Sequence, residues 1–122
     1  VYHNFSVKSN TIIQPGVIIA PFTEIGMNCS IRTGSIISHH VHIHDHCFVA
    51  AGVTISGAVV IGERSVLGVG CVIRDGVRVA PGSFIGAGAV VVQDTQPNGV
   101  YVGVPAKLQP TPADQLHEVK RT

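Results

Sequence analysis

Apolar residues fall on a six-residue beat along most of the chain. Counted from Val1, the opening position of each unit is aliphatic: Val7, Ile13, Ile19, Ile25, Ile31, Ile37, Ile43, Val49, Ile55, Ile61, Leu67, Ile73, Val79, Ile85 and Val91. The fifth position holds a small, β-branched or otherwise core-compatible residue, from Phe5, Thr11 and Val17 through Cys47 and Val53 to Ser83, Ala89 and Thr95. Sixteen consecutive units obey the rule, so the repeat is the fold. A period of six fits neither a helical stripe of 3.6 nor a long alternating strand. It fits a short strand followed by a corner. The fifth residue of one unit and the first of the next are two apart and point to the same side of a strand, the inside. Turn formers collect in between, at Pro15-Gly16, Asn28, Gly34, Asp75-Gly76 and Pro81-Gly82. Three units make a triangular coil of eighteen residues, and coils stack at about 4.8 Å, the spacing of a parallel sheet. The expected fold is an all-β parallel β-helix about five coils tall.

The register stops after Thr95 at Gln96-Pro-Asn98-Gly99, a turn, and a strand-like Val100-Tyr-Val-Gly-Val104 follows. Thr111-Pro-Ala-Asp114 reads as an N-cap, a first-turn proline and a first-turn acid, which predicts a short C-terminal helix from about residue 112. Residues 1–107 are thus expected to form the β-helix domain and 108–122 a tail carrying that helix.

Composition narrows the picture. Only 12% of residues are charged, about half the usual share, as flat faces of a thin solenoid would require. Such faces are expected to pack against copies of the same chain. A net charge of +1 gives no electrostatic case for nucleic acid or a membrane surface. No apolar run reaches the length of a transmembrane span. Cys29, Cys47 and Cys71 all take the inward fifth position and read as small core residues. Stacked parallel side chains have poor disulfide geometry, and an odd count of buried thiols suits a reducing, cytoplasmic setting. The chain opens on Val1 already in register, as an excised piece of a longer protein would.

Candidate chemistry gathers in one stretch. Residues 37–48 hold five of the seven histidines while their inward positions stay regular, so the imidazoles face outward or sit at corners. His42, His44 and His46 read as a solvated surface cluster. His39 and His40 share one corner, and neutral imidazole is the side chain best poised for proton transfer near pH 7. Gly57 stands eighteen positions on, one coil above His39, where a bare backbone leaves its N–H accessible. Gly68 and Gly86, and separately Gly52, Gly70 and Gly88, are expected to form two side-chain-free columns bordering a shallow groove for a long thin ligand.

Two segments carry a family likeness. Ile85-Gly-Ala-Gly-Ala-Val-Val-Val-Gln-Asp94 and the closing Val100-Tyr-Val-Gly-Val-Pro-Ala-Lys107 resemble the hexapeptide-repeat acyltransferases of left-handed β-helix fold, especially sugar O- and N-acetyltransferases of the sialic-acid O-acetyltransferase type. The resemblance covers residues 1–107, and the left hand of the helix comes from it. It implies transfer of an acyl group from an acyl-CoA, acetyl-CoA above all, to a hydroxyl or amine of a sugar or nucleotide-sugar. His39 aligns with the general base and Gly57 with the amide that receives the thioester carbonyl. Val69 and Ala87 align with backbone that touches coenzyme A between subunits of a homotrimer, and Lys107 is a candidate partner for the coenzyme's phosphates. No metal is expected. Many relatives carry an acid directly after the base, where this chain has His40, and a second histidine where it has Phe48.

Two other function classes compete. The γ-type carbonic anhydrases share the fold and bind zinc through histidines. Here His3 and His39 are two coils apart, about 9–10 Å, too far to share one zinc with bonds of about 2 Å. A non-catalytic scaffold is the third class, because a fold does not fix a function.

Overall fold

The computed structural model describes residues 4–116. They wind into an all-β, left-handed parallel β-helix of about five turns with three flat faces. The first face stacks Phe5–Val7, Thr23–Ile25, His42–Ile43, Val60–Ile61 and Arg78–Val79. The second stacks Ile12–Ile13, Ser30–Ile31, Phe48–Val49, Val66–Leu67, Phe84–Ile85 and Val100–Val102. The third stacks Ile18–Ile19, Ile36–Ile37, Thr54–Ile55, Val72–Ile73 and Val90–Val91. Residues eighteen apart lie side by side, as in Phe5↔Thr23, Glu24↔His42 and Val60↔Arg78. The sequence period is therefore the physical coil.

Each strand is short because only two residues fit on a face before the chain must turn. Of these, the unit's first residue points inward. Ile31, Ile37, Ile43, Val49, Ile55, Ile61, Leu67, Ile73 and Ile85 are fully enclosed. Burying one such side chain contributes about 1.5–3 kcal/mol. The fifth positions fill the corners of the triangle, and those that are polar are satisfied. Ser35 Oγ donates to the Ala50 carbonyl at 2.8 Å and accepts the Val53 N–H at 3.2 Å. Thr23 Oγ1 donates to the Ser38 carbonyl at 2.8 Å. The N-terminal coil is less well covered, since it has a neighbour on one side only: Phe5, Ile13 and Val17 are only partly buried.

Coil-to-coil contact also explains several glycines. A Cβ at Gly62 would stand 2.4 Å from the Pro81 nitrogen, and one at Gly68 would stand 2.7 Å from the Ala87 nitrogen. A Cβ at Gly86 would meet the Val102 side chain at 2.8 Å. The expected open column of Gly68 and Gly86 is thus corrected: these positions are bare because the next coil presses on them. Gly52, Gly70 and Gly88 differ, with nothing within 4 Å of an added Cβ.

At the C-terminal end, Val100–Val102 adds a last parallel strand beside Phe84–Ile85, and Lys107–Leu108 folds back antiparallel onto it through a cis Val104–Pro105 bond. The predicted helix appears as one 3₁₀ turn, Ala113–Gln115. Its N-cap is Pro112, not Thr111, and no side chain caps it. The Ala113 N–H goes instead to the Asn98 carbonyl at 3.0 Å, so the turn is tied to the solenoid rather than to its own cap. The remainder of the expected helix, and His3, lie outside the described residues. Among the described residues no helix is long and apolar enough to cross a membrane.

Candidate active site

The edge where the third face passes into the first is a column of four-residue corners, 38–41, 56–59 and 74–77. The third residue of each, and Phe22 one coil below, has a left-handed backbone: Phe22 at φ 64°, His40 at 58°, Ala58 at 60° and Gly76 at 75°. The corner imposes this conformation. It costs an L-residue about 1–2 kcal/mol, which glycine avoids. An aromatic ring at two successive positions of this column is therefore locally unfavourable, and their placement has a visible result. Phe22 and His40 stack with ring centroids 5.1 Å apart and planes 28° apart, although Phe22 remains 59% exposed.

His39, the second residue of its corner, lies directly beneath Gly57. A Cβ on Gly57 would stand 2.8 Å from His39 Cε1 and 2.9 Å from its Nε2, so the imidazole fills the space a side chain would take. The backbone links the two coils as well, with the Ala58 N–H donating to the His39 carbonyl at 3.0 Å. The Gly57 N–H has no protein acceptor among the described residues. On its other side His39 meets His40: the two Nδ1 atoms are 3.0 Å apart and share a hydrogen bond. Three of the predicted site residues, His39, His40 and Gly57, thus meet on one edge. An exposed imidazole nitrogen and an unpaired amide side by side can accept a proton and steady an oxyanion.

The other predicted residues lie elsewhere on the same prism. Val69 and Ala87 stack on the edge between the second and third faces, both exposed. One chain alone does not bring them to His39. Lys107 lies at the C-terminal end, beside a cavity of about 120 Å³ that it lines with Val91, Gln93, Asp94 and Tyr101. Gln93 is on the edge of His39 and Gly57, eighteen residues beyond Asp75.

The remaining histidines and the thiols occupy different ground. His42 and His44 stack on the first face with centroids 3.9 Å apart. Partial burial, then the neighbouring His44, lowers the His42 pKa from its ordinary value. His46 Nδ1 accepts from Asn28 Nδ2 at 3.2 Å, in a corner ladder where Asn28 Oδ1 accepts from Asn10 Nδ2 at 2.7 Å. Among the described residues no three His, Cys, Asp or Glu side chains converge as a metal site would need. The three cysteines are free, enclosed, and at most 2% exposed. Contact with the Cys29 thiol and burial push the Cys47 thiol up, and burial pushes Cys71 up to about 12. The hydrogen bond from the Cys47 thiol lowers Cys29 instead, but that sulfur too is enclosed, and a thiol no substrate can reach is no nucleophile.

Phe22 is the residue that sequence reasoning missed. Its signal was available: it stands eighteen before His40, in a column whose later members are Ala58 and Gly76. Below it a hollow of about 480 Å³ opens between Asn4, Ser6, Phe22, Glu24 and His40.

Several solved structures have a similar shape. A galactoside acetyltransferase in complex with coenzyme A superposes at a TM-score of 0.84 with 26% identity, covering 93% of this chain and 68% of that one. A GDP-perosamine N-acetyltransferase from Caulobacter crescentus, a histidine-to-alanine mutant holding CoA and GDP-perosamine, gives 0.75 and 26%, covering 88% and 58%. The acetyltransferase domain of PglB from Neisseria gonorrhoeae FA1090 gives 0.83 at 24% identity, a likeness of fold, covering 87% and 54%. The chain therefore spans little more than half the length of the last two. No curated protein sequence matches it. The family model for the bacterial transferase hexapeptide (six repeats) matches residues 4–39, 22–57 and 58–93, nearly the whole of the regular coil. The chain belongs to the bacterial transferase hexapeptide family.

Proposed function

We propose that the chain carries acyl transfer from an acyl-CoA, acetyl-CoA above all, to a hydroxyl or amine of a sugar or nucleotide-sugar. The observation that carries the reading is the imidazole of His39 filling the place of a side chain on Gly57, whose N–H has no protein acceptor among the described residues. His39 Nε2 takes the proton of the acceptor hydroxyl or amine as it attacks the thioester carbonyl. The Gly57 N–H donates to the oxyanion. The carbon–sulfur bond then breaks, the acyl group stays on the acceptor, and the coenzyme leaves as a thiolate that takes up the proton from His39. A positioned general base supplies typically about 10²–10⁴-fold, and one oxyanion donor about 10²–10³-fold. The enclosed cysteines take no part, so attack on the thioester is direct.

Two further features support the reading. The hollow beside His40 presents an aromatic face, a carboxylate and polar groups, which suits a sugar acceptor approaching from the Phe22 side. Val69 and Ala87, on a second edge, meet the coenzyme in a homotrimer, where the edge of one subunit lies against that of the next. The second and third faces favour such packing, since Ile12, Ile18, Ile36 and Phe48 point outward and are 63%, 55%, 42% and 37% exposed. The first face shows Glu24, His42 and Arg78 instead. Lys107 then answers the phosphates of the coenzyme.

Thermal melting with added acetyl-CoA tests the proposal. At a ligand concentration a hundred times Kd the folded state gains about 2.7 kcal/mol, and Tm rises with concentration. A melting temperature indifferent to millimolar acetyl-CoA would favour a non-catalytic scaffold.

A further inference from the structure

We propose that His40 is a positioning residue that fixes the tautomer of His39, the pair sharing one proton so that Nε2 of His39 is the bare nitrogen. This rests on the role given to His39 above and supplies what the chain uses in place of an acid beside the base. The two Nδ1 atoms are 3.0 Å apart, and a hydrogen bond between like nitrogens needs one hydrogen and one lone pair. A neutral imidazole carries a single N–H, so the choice of donor decides where both rings keep their protons. If His40 donates, His39 holds its own hydrogen on Nε2 and cannot act as a base. If His39 donates, its Nε2 is bare, on the edge of the ring that lies 2.9 Å from the missing Cβ of Gly57.

The reaction selects the second arrangement. Once His39 has taken the acceptor's proton it carries hydrogen on both nitrogens, and its Nδ1–H is paired only if His40 Nδ1 is a lone pair. His40 donating would require the bond to reverse during each turnover, whereas His39 donating lets the same bond become charge-assisted as the imidazolium forms. The hydrogen of neutral His40 then sits on Nε2, and its exposed ring leaves that position open to water.

The setting of His40 is that of a fixed part. Its backbone is held at φ 58° with its N–H on the Pro21 carbonyl at 3.3 Å, and its ring lies on Phe22. Phe22 takes the left-handed backbone that the corner imposes and leaves its ring 59% exposed, so the ring serves the stack on His40 rather than the core. The stack orients the His40 ring, and the His40 ring orients His39.

Long-range ¹H–¹⁵N correlation of the imidazole rings reads the tautomer directly. In the unaltered protein His39 should carry its hydrogen on Nδ1. His40→Phe keeps a ring on Phe22 but removes the acceptor; His39 should then hold its hydrogen on Nε2, and kcat should fall by about 10–100-fold with the KM for acetyl-CoA little changed. His40→Asn, a residue at ease in the left-handed region, restores an acceptor oxygen near the lost Nδ1 and should recover both the tautomer and most of the rate. An Nε2 hydrogen on His39 in the unaltered protein overturns the proposal, as does a His40→Phe protein that turns over at the full rate. A Nδ1-protonated His39 in a protein whose His39→Ala variant is fully active would leave the tautomer assignment standing and remove the catalytic reading beneath it.

Discussion

His39→Ala lowers turnover by at least about a hundredfold, with the KM for acetyl-CoA nearly unchanged and the melting temperature close to that of the parent. The size follows from what is removed. A general base is worth typically about 10²–10⁴-fold, and nothing else at that corner offers a second lone pair at the same place. In the variant His40 loses its Nδ1 partner, but its ring still lies over Phe22, so it cannot step in without abandoning that stack. The Gly57 amide and the bound pose of the substrates survive the change, which leaves residual transfer above the uncatalysed rate. Stability is spared because His39 is exposed and its carbonyl, not its ring, takes the Ala58 N–H. Steady-state kinetics beside a melting curve checks all three parts. Unchanged kcat takes His39 out of the mechanism. A collapse of stability would mean instead that the imidazole is holding the corner together.

Gly62→Ala is the second large effect, on the fold. The new methyl carbon would stand 2.4 Å from the Pro81 nitrogen and 2.8 Å from the Ala80 carbonyl carbon and Pro81 Cα. All three are backbone, so no rotamer change relieves the overlap. Local separation of the coils would stretch the Gly62 N–H bond to the Val79 carbonyl, now 2.7 Å. Overpacking of a well-filled interior costs about 1–3 kcal/mol, occasionally more, and this site belongs at the upper end. A fall in Tm of about 10 °C or more follows for a domain of this size. Gly70→Asn is the control. It adds a larger side chain at φ 70°, a conformation asparagine tolerates, where an added Cβ has no neighbour within 4 Å. Its melting point should stay within a few degrees of the parent. Equal losses from both variants would contradict the coil spacing at Gly62.

The contrast between those glycines marks where reading the chain succeeds and where it stops. Periodicity identifies inward positions because side-chain direction alternates along a strand whatever its neighbours, so Ile31, Ile55 and Ser35 are placed by counting alone. Counting sorts the corner glycines by their place in the unit, but only the coil-to-coil distances show that the second place is pressed by the next coil, as at Gly26, Gly62, Gly68 and Gly86, while the fourth stands open at Gly52, Gly70, Gly76 and Gly88. Gly68, the second residue of its unit, abuts the Ala87 backbone, whereas Gly70, the fourth, faces nothing. Left-handed corners are half legible. Asn28 and Gly76 announce theirs by residue type, while Phe22, His40 and Arg64 adopt the same φ without any such signal. Their place as the fourth residue of a unit is what gives them away, since every fourth position from Asn10 to Gly88 is left-handed.

At the candidate site, the stacking of His39 under Gly57 follows from that same spacing. The Nδ1 contact between His39 and His40 and the Phe22 stack do not, because each depends on side-chain torsions rather than on register. The antiparallel return of Lys107–Leu108 was equally hidden: a two-residue strand after Pro105 has no periodic pattern to reveal it.

The most direct test is a crystal structure with coenzyme A or a non-hydrolysable acetyl analogue bound. The sulfur end should lie on the edge of His39 and Gly57, with the analogue's carbonyl oxygen about 2.7–3.1 Å from the Gly57 nitrogen and His39 Nε2 open toward the acceptor hollow beside Phe22. The pantetheine arm should run along a seam that a second copy closes with Val69 and Ala87. Coenzyme bound at another edge of the prism, or a seam between copies remote from His39, would contradict the account.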